Sequence, residues 1–165
     1  MKTNYVILIV RILQGLHGTL QRQSMNYTIG VDPAHGWAVN QNRVLIACGT
    51  VPGLPELTAK LIELKAQYPL ATVYVELPEN KHIYYRSGTS PAIMQCIARK
   101  VGENRAKAQV LFDHCKSLWG PAVVKYAPPT RHYVKVKAKR FNRITGWKER
   151  TSEHARDAAC LIIGR

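Results

Sequence analysis

Two short apolar runs, Ile29-Gly30-Val31 and Val73-Tyr74-Val75, each end on a carboxylate, Asp32 and Glu76. Pro33 follows the first at once, and Pro78 follows the second after one residue. Apolar and aromatic runs of this length, closed by proline, read as strands leaving a core. The chain has only 10 acidic residues, so each position can be weighed. If these two strands are parallel neighbours, their ends bring Asp32 and Glu76 together.

The rest of the chain falls into place around that pair. "GWAVN" and "RVLIACGTV" read as two further strands, with "QNR" between them as a tight turn. "PELTAKLIELKAQYP" carries Leu57, Leu61, Ile62 and Leu64 at helical spacing. "KHIYYRSGTS" reads as a loop. Ser90 is a natural N-cap and Pro91 a natural first residue for a long helix to Trp119, with Gly102 as its weak point. "AVVKYAPP" is a last short strand. The order is β-β-β-α-β-α-β, then a basic segment, then a C-terminal helix. It implies one mixed sheet with helices packed on it. The segment "HYVKVKAKRFNR" has a strand period in Val134, Val136 and Ala138, and its charge equally suits a mobile arm.

At 165 residues and 46% apolar content, one domain with a real core is expected. Residues 25–165 carry it. Residues 1–24 hold no acidic residue, and their apolar run Tyr5–Val10 stops at Arg11. They read as a dispensable extension from an upstream start, or as an amphipathic helix through Val6, Ile9, Val10 and Leu13. A secretory signal would need a longer apolar stretch and a clear cleavage site. No apolar run is long enough to span a bilayer, so no membrane partner is expected. The formal charge of +14 favours a polyanion, nucleic acid first. Cys48, Cys96, Cys115 and Cys160 form no Cys-x-x-Cys and read as free, mostly buried thiols in a reducing compartment.

Near the C-terminus, "SEHARDAACLII" places His154 and Asp157 one helical turn apart on the lip of an apolar run. Each acidic signal has a bland alternative. A lone Asp at a strand end is often a turn residue, Glu76 can face water, and a His-x-x-Asp pair can be solvated. Together they describe carboxylates converging on one place, which repel one another unless cations intervene. Oxygen ligands with an imidazole suit Mg²⁺ or Mn²⁺. Two such ions about 4 Å apart can activate a water and stabilise the leaving oxygen of a phosphodiester.

With these residues in view, the chain resembles the RuvC-like Holliday junction resolvases, especially compact phage-type members of the RNase H-like superfamily. The resemblance covers roughly residues 26–165 and is carried by "IGVDPAHGWAV", "VYVELPEN", "VGENRAKAQVLFDHC", "VVKYAPPTRHYVKVK" and, most specifically, "TGWKERTSEHARDAACLI". It implies an α/β fold: a five-stranded mixed sheet of order 3-2-1-4-5, strand two antiparallel to the rest, with helices on both faces. It implies Asp32, Glu76, His154 and Asp157 as catalytic residues and metal ligands, with two Mg²⁺ ions per site and Mn²⁺ able to substitute. It further implies a homodimer making symmetric paired nicks in four-way and other branched DNA, working in the cytoplasm (of a host, if phage-encoded). Residues 1–24 have no counterpart in that family. The family places a base-stacking aromatic in the loop after the second carboxylate. Here "LPEN" occupies the immediate positions, and Tyr84 and Tyr85 follow as stacking or packing residues. Glu79 and Glu153 are near the site without being primary ligands.

The basic stretch suits the same substrate. Lys125, Arg131, Lys135, Lys137, Lys139, Arg140, Arg143, Lys148, Arg150 and Arg156 crowd residues 125–156. Arg131, Lys135, Lys137, Lys139 and Arg140 are the expected DNA contacts, positioning phosphates and making binding salt-dependent. The long helix offers Asn104, Arg105, Ala106 and Ala108 for close packing, in a dimer or in the core, and Asp113 as a surface residue. Three other functions fit parts of the pattern. They are a nuclease for RNA–DNA hybrids or flaps, a non-catalytic DNA-binding protein of the same fold, and an actin-like ATPase, which would need further glycine-rich phosphate loops.

Overall fold

Strand β1 (Tyr27–Asp32) lies at the centre of the sheet because it can be buried on both faces. Ile29 and Val31 point one way, Thr28, Gly30 and Asp32 the other. The structure, a computed structural model, describes residues 26–77, 90–128 and 135–165. The extension 1–24 and the loop residues 81–89 lie outside them. Around β1 run β2 (Gly36–Gln41), β3 (Val44–Thr50), β4 (Thr72–Glu76) and β5 (Val124–Ala127), in the order β3-β2-β1-β4-β5. β2 is antiparallel to β1 and β3, while β1–β4 and β4–β5 are parallel. This is the sheet the sequence led us to expect.

Asn42 and Arg43 join β2 to β3, both with positive φ, 50° and 70°. That is the two-residue hairpin whose twist matches the strands. Gln41, read as a turn residue, ends β2 instead.

One face of the sheet buries Ile29, Val31, Val39, Val73 and Val75 against two helices. Helix α1 (Leu54–Gln67) supplies Leu57, Leu61 and Leu64. Helix α2 (Pro91–Trp119) supplies Leu111, Cys115 and Trp119. Ile62, counted with the apolar face of α1, is 54% exposed. It follows Leu61 by 100° around the helix and so turns away from the sheet. Ser90 caps α2 by accepting from Ile93 N, as expected. Gly102 does not interrupt the helix, since 29 residues run through it continuously. At about 1.5 Å per residue α2 is roughly 43 Å long, far longer than β4, so its first half overhangs the sheet. Ile93, Cys96 and Ile97 are exposed there, while Ala108 is fully buried within the subunit. All four cysteines are free, with Cys115 and Cys160 buried, Cys48 half-buried and Cys96 at the surface.

The opposite face is covered by α3 (Ala138–Thr145) and α4 (Glu153–Cys160), through Phe141, Ala158, Ala159, Leu161 and Ile162. Helix α3 corrects the reading of the segment 132–143 as strand or mobile arm over its residues 138–143. Phe141 anchors the short helix in the core, Gly146 ends it in the left-handed conformation, and the alternation at Val136 and Ala138 stops where the helix begins. Residues 131–134 lie outside the described ones.

Helix α4 sits at backbone contact with the sheet. A Cβ at Gly30 would lie 2.1 Å from the Ala158 carbonyl oxygen, and one at Gly36 2.1 Å from that of His154. Asn40 Nδ2 donates to Ile162 O at 2.8 Å and fixes the C-terminal end of the same packing. We predict that Gly36→Ala forces α4 off β2 and destabilises the protein by about 2–3 kcal/mol, measured by urea unfolding. Wild-type stability in that variant would contradict the close packing.

Candidate metal centre

Asp32 reaches the site because β1 ends there and its side chain falls on the α4 face. It is only 5% exposed. Ala34 N donates to Asp32 Oδ1 at 3.0 Å, an Asx turn made possible by the bend after Pro33. Glu76 ends the parallel neighbour β4, and the register Val31↔Val75 leaves the two carboxylates adjacent. His154 and Asp157 come from α4, whose start is fixed by Ser152 Oγ accepting from Ala155 N at 3.1 Å. Their i, i+3 spacing puts both on the side of the helix that overhangs Asp32.

The structure brings Asp32, His154 and Asp157 into one cluster, with Glu76 beside Asp32 on the neighbouring strand. His154 Nδ1 lies 3.1 Å from Asp32 Oδ2. Asp32, His154 and Asp157 each offer a ligand atom, all within 4.8 Å of one another. Glu76 stands beside Asp32 at the end of the neighbouring strand. Burial, then the closeness of Asp32, then Asp157, push Glu76 up to about 8. Burial raises Asp32 as well, against the Ala34 N–H, His154 and Glu76, which lower it. Asp157 is raised by burial, Asp32 and Glu153, with His154 and Arg156 opposing. Both carboxyls of the pair are thus held above their ordinary range. A divalent cation would relieve this crowding, because it neutralises both carboxylates at once. His154, exposed at the rim, donates to Asp32 when its proton is on Nδ1, and the same nitrogen becomes a ligand atom without it. Three oxygen donors with one imidazole fit a Mg²⁺- or Mn²⁺-type ion.

Of the expected DNA contacts, Lys135, Lys137, Lys139 and Arg140 are exposed. Lys135 Nζ stands 3.9 Å from Glu153 Oε1, a loose and solvated pair. Lys137 caps α3, and Lys139, Arg140 and Arg143 lie along it. None of these four has a carboxylate partner among the described residues. Tyr84, Tyr85, Arg131 and Glu79 lie outside the described residues. Arg156, counted with the substrate-facing cations, is committed elsewhere: its Nε donates to Val136 O at 2.8 Å and its Nη1 to Thr151 O at 2.7 Å. Asp113 is at the surface, bonded to Gln109 and Lys116, away from the site. What the sequence reading overlooked is the pair Gly30 and Gly36. Both stand inside the quoted "IGVDPAHGWAV", and a glycine within a buried strand is itself a signal of close backbone approach.

Comparison with known proteins places the chain beside two solved structures. RuvC from Thermus thermophilus is 18% identical with a TM-score of 0.46, covering 83% of this chain and 91% of that one. T. thermophilus RuvC in complex with a Holliday junction substrate is 17% identical with a TM-score of 0.46, covering 84% and 90%. The resemblance read from the sequence is to the same group. No protein-family model matches the chain, and no curated protein does. The architecture assigned here follows from the chain's own strand order and pairing.

The raised Glu76 carboxyl fixes a pH dependence. Unfolded, the group ionises near 4.5; folded and metal-free, near 8. The folded state therefore holds the extra proton between those values, and its stability falls as pH rises from 4.5 through 8. We predict that Glu76→Gln raises the metal-free Tm at pH 8 and leaves it nearly unchanged at pH 4.5. We expect Mn²⁺ to raise the wild-type Tm more at pH 8 than at pH 5, because binding must displace protons. A Glu76→Gln protein that melts lower at pH 8 would contradict the crowded-carboxylate account.

Proposed function

We propose that the protein is a divalent-metal-dependent endonuclease of branched DNA, with the four-way junction as its first substrate. The observation that supports this reading most directly is the convergence of Asp32, Glu76, His154 and Asp157 at one end of the sheet, next to a helix whose charged side chains are all cationic. The sequence resemblance supplies the branched substrate. Asp32, Glu76, Asp157 and His154 hold Mg²⁺, or Mn²⁺ in its place, as two ions in each site. When bound, the ions supply water activation and stabilisation of the leaving oxygen.

The protein's own groups do the rest. Asp32 is held by the Ala34 N–H and kept from water, so it meets a cation without rearranging. Glu76, held above its usual range by burial and by Asp32, would be the ligand whose proton a bound cation displaces. His154 sits at the rim, where it can orient a scissile phosphate or accept a proton from water. Lys135, Lys137, Lys139, Arg140 and Arg143 track the phosphate backbone leading into the site, with Arg131 on the preceding segment. Tyr84 and Tyr85 follow the second carboxylate in sequence and are the candidates for stacking on unpaired bases.

Two sites working in concert need a dimer, and paired symmetric nicks follow from its two-fold axis. The overhanging half of α2 offers a surface for it. Ile93 and Ile97 stand one turn apart and are 55% and 44% exposed, apolar surface of the kind that can mark an interaction site.

Incision of a synthetic four-way junction, beside linear duplex and RNA–DNA hybrid, tests the proposal. Metal-dependent paired nicks confined to the junction are expected. Asp32→Asn and Asp157→Asn should lower the rate by about 100-fold or more while junction binding persists, since the cations of α3 remain. Cleavage of the hybrid alone would move the activity to another nuclease class. Tight binding without incision in any metal would make this a DNA-binding protein.

A further inference from the structure

Arg156 is a basic residue of the C-terminal region whose side chain turns to the protein's own backbone. Its guanidinium spans two chain segments: Nε donates to Val136 O at 2.8 Å, and Nη1 to Thr151 O at 2.7 Å with a longer contact to Thr151 Oγ1 at 3.4 Å. Val136 is itself pinned, its side chain 4% exposed in the core beside Phe141 and Ala158. It lies between Lys135 and Lys137, immediately before α3. Thr151 immediately precedes Ser152, the cap of α4. On its own helix Arg156 stands directly before Asp157 and two residues after His154. One side chain therefore ties the start of the cationic helix to the start of the helix that carries two of the four site residues.

A lysine or a surface cation would not make this connection. Guanidinium presents several N–H groups in a rigid plane and can serve two acceptors in different directions, whereas ammonium is a point charge on a flexible stem. Both acceptors are backbone carbonyls, so what is fixed is the path of the chain. Among the described residues, the ion pair across this boundary is weak. Lys135 and Glu153 are 3.9 Å apart and exposed.

We infer that Arg156 is a positioning residue: it locks the phosphate-binding segment Lys135–Arg143 to the helix bearing His154 and Asp157, so that DNA seated on the cations is presented to the metal site in register. This rests on the nuclease reading above and adds to it a residue that touches neither metal nor substrate. Removing the clasp leaves both half-sites present and uncouples them. The rate of the bound complex should then fall more than its affinity, because a displaced substrate loses near-attack geometry rather than charge contacts.

The test compares full-length wild type, Arg156→Ala and Arg156→Lys. Three quantities are read: Mn²⁺ binding by calorimetry, junction affinity without metal, and the single-turnover incision rate at saturating protein. For Arg156→Ala we expect Mn²⁺ affinity and junction affinity to stay within about threefold, and the rate to fall roughly tenfold to a hundredfold, the effect of losing hydrogen bonds from a charged group. Arg156→Lys keeps the charge beside Asp157 but not the two-carbonyl bridge, so it should stay at least about fivefold slow. Full rate in Arg156→Lys would assign the effect to charge and overturn the clasp. So would loss of Mn²⁺ binding in both variants, which would make Arg156 a folding residue of the metal site, or an undiminished rate in Arg156→Ala. A wild-type protein that binds Mn²⁺ and leaves the junction intact would instead remove the nuclease reading itself.

Discussion

Helix α4 touches the sheet through backbone, and that contact exists because residues 30 and 36 carry no side chain. With a Cβ at either position the carbonyls of Ala158 or His154 would be met at 2.1 Å, closer than any non-bonded pair sits. The small residues Ala155, Ala158 and Ala159 complete the approach from the helix side. That approach goes with a His154 Nδ1 that stands 3.1 Å from Asp32 Oδ2. The glycines are thus the reason that a C-terminal helix can complete a site begun on the first strand.

The second constraint is electrostatic and runs against the overall charge. The chain carries +14, yet its acidic residues include three gathered at one end of the sheet with their carboxyls shifted upward by burial and by each other. Such a cluster is stable without metal only by keeping a proton. Nearby, α3 presents Lys139, Arg140 and Arg143 with no acidic residue in its sequence. Charge is thus segregated, with carboxyls at the strand ends and cations along α3.

Much of this was legible in the chain. Asp32 and Glu76 ended apolar runs at strand spacing, so parallel pairing of β1 and β4 was enough to join them. His154 and Asp157 stood one turn apart before an apolar stretch. Helix α3 was not legible, because its helical period is carried by one buried residue, Phe141, while Val136 and Ala138 mimic a strand. The role of Arg156 was hidden for a different reason. Charge composition counts an arginine as substrate-facing, and only its two backbone acceptors show otherwise. Ile62 shows that a local apolar period does not fix which residues are buried, and Gly102 that one glycine weakens a helix without ending it.

The account stands on a divalent cation occupying the space between four named side chains. Anomalous diffraction from crystals grown with Mn²⁺ tests it most directly. The account predicts anomalous density bounded by Asp32, Glu76, His154 and Asp157, and its loss in Asp32→Asn. A crystal with these four side chains ordered and no anomalous density at saturating Mn²⁺ would contradict it.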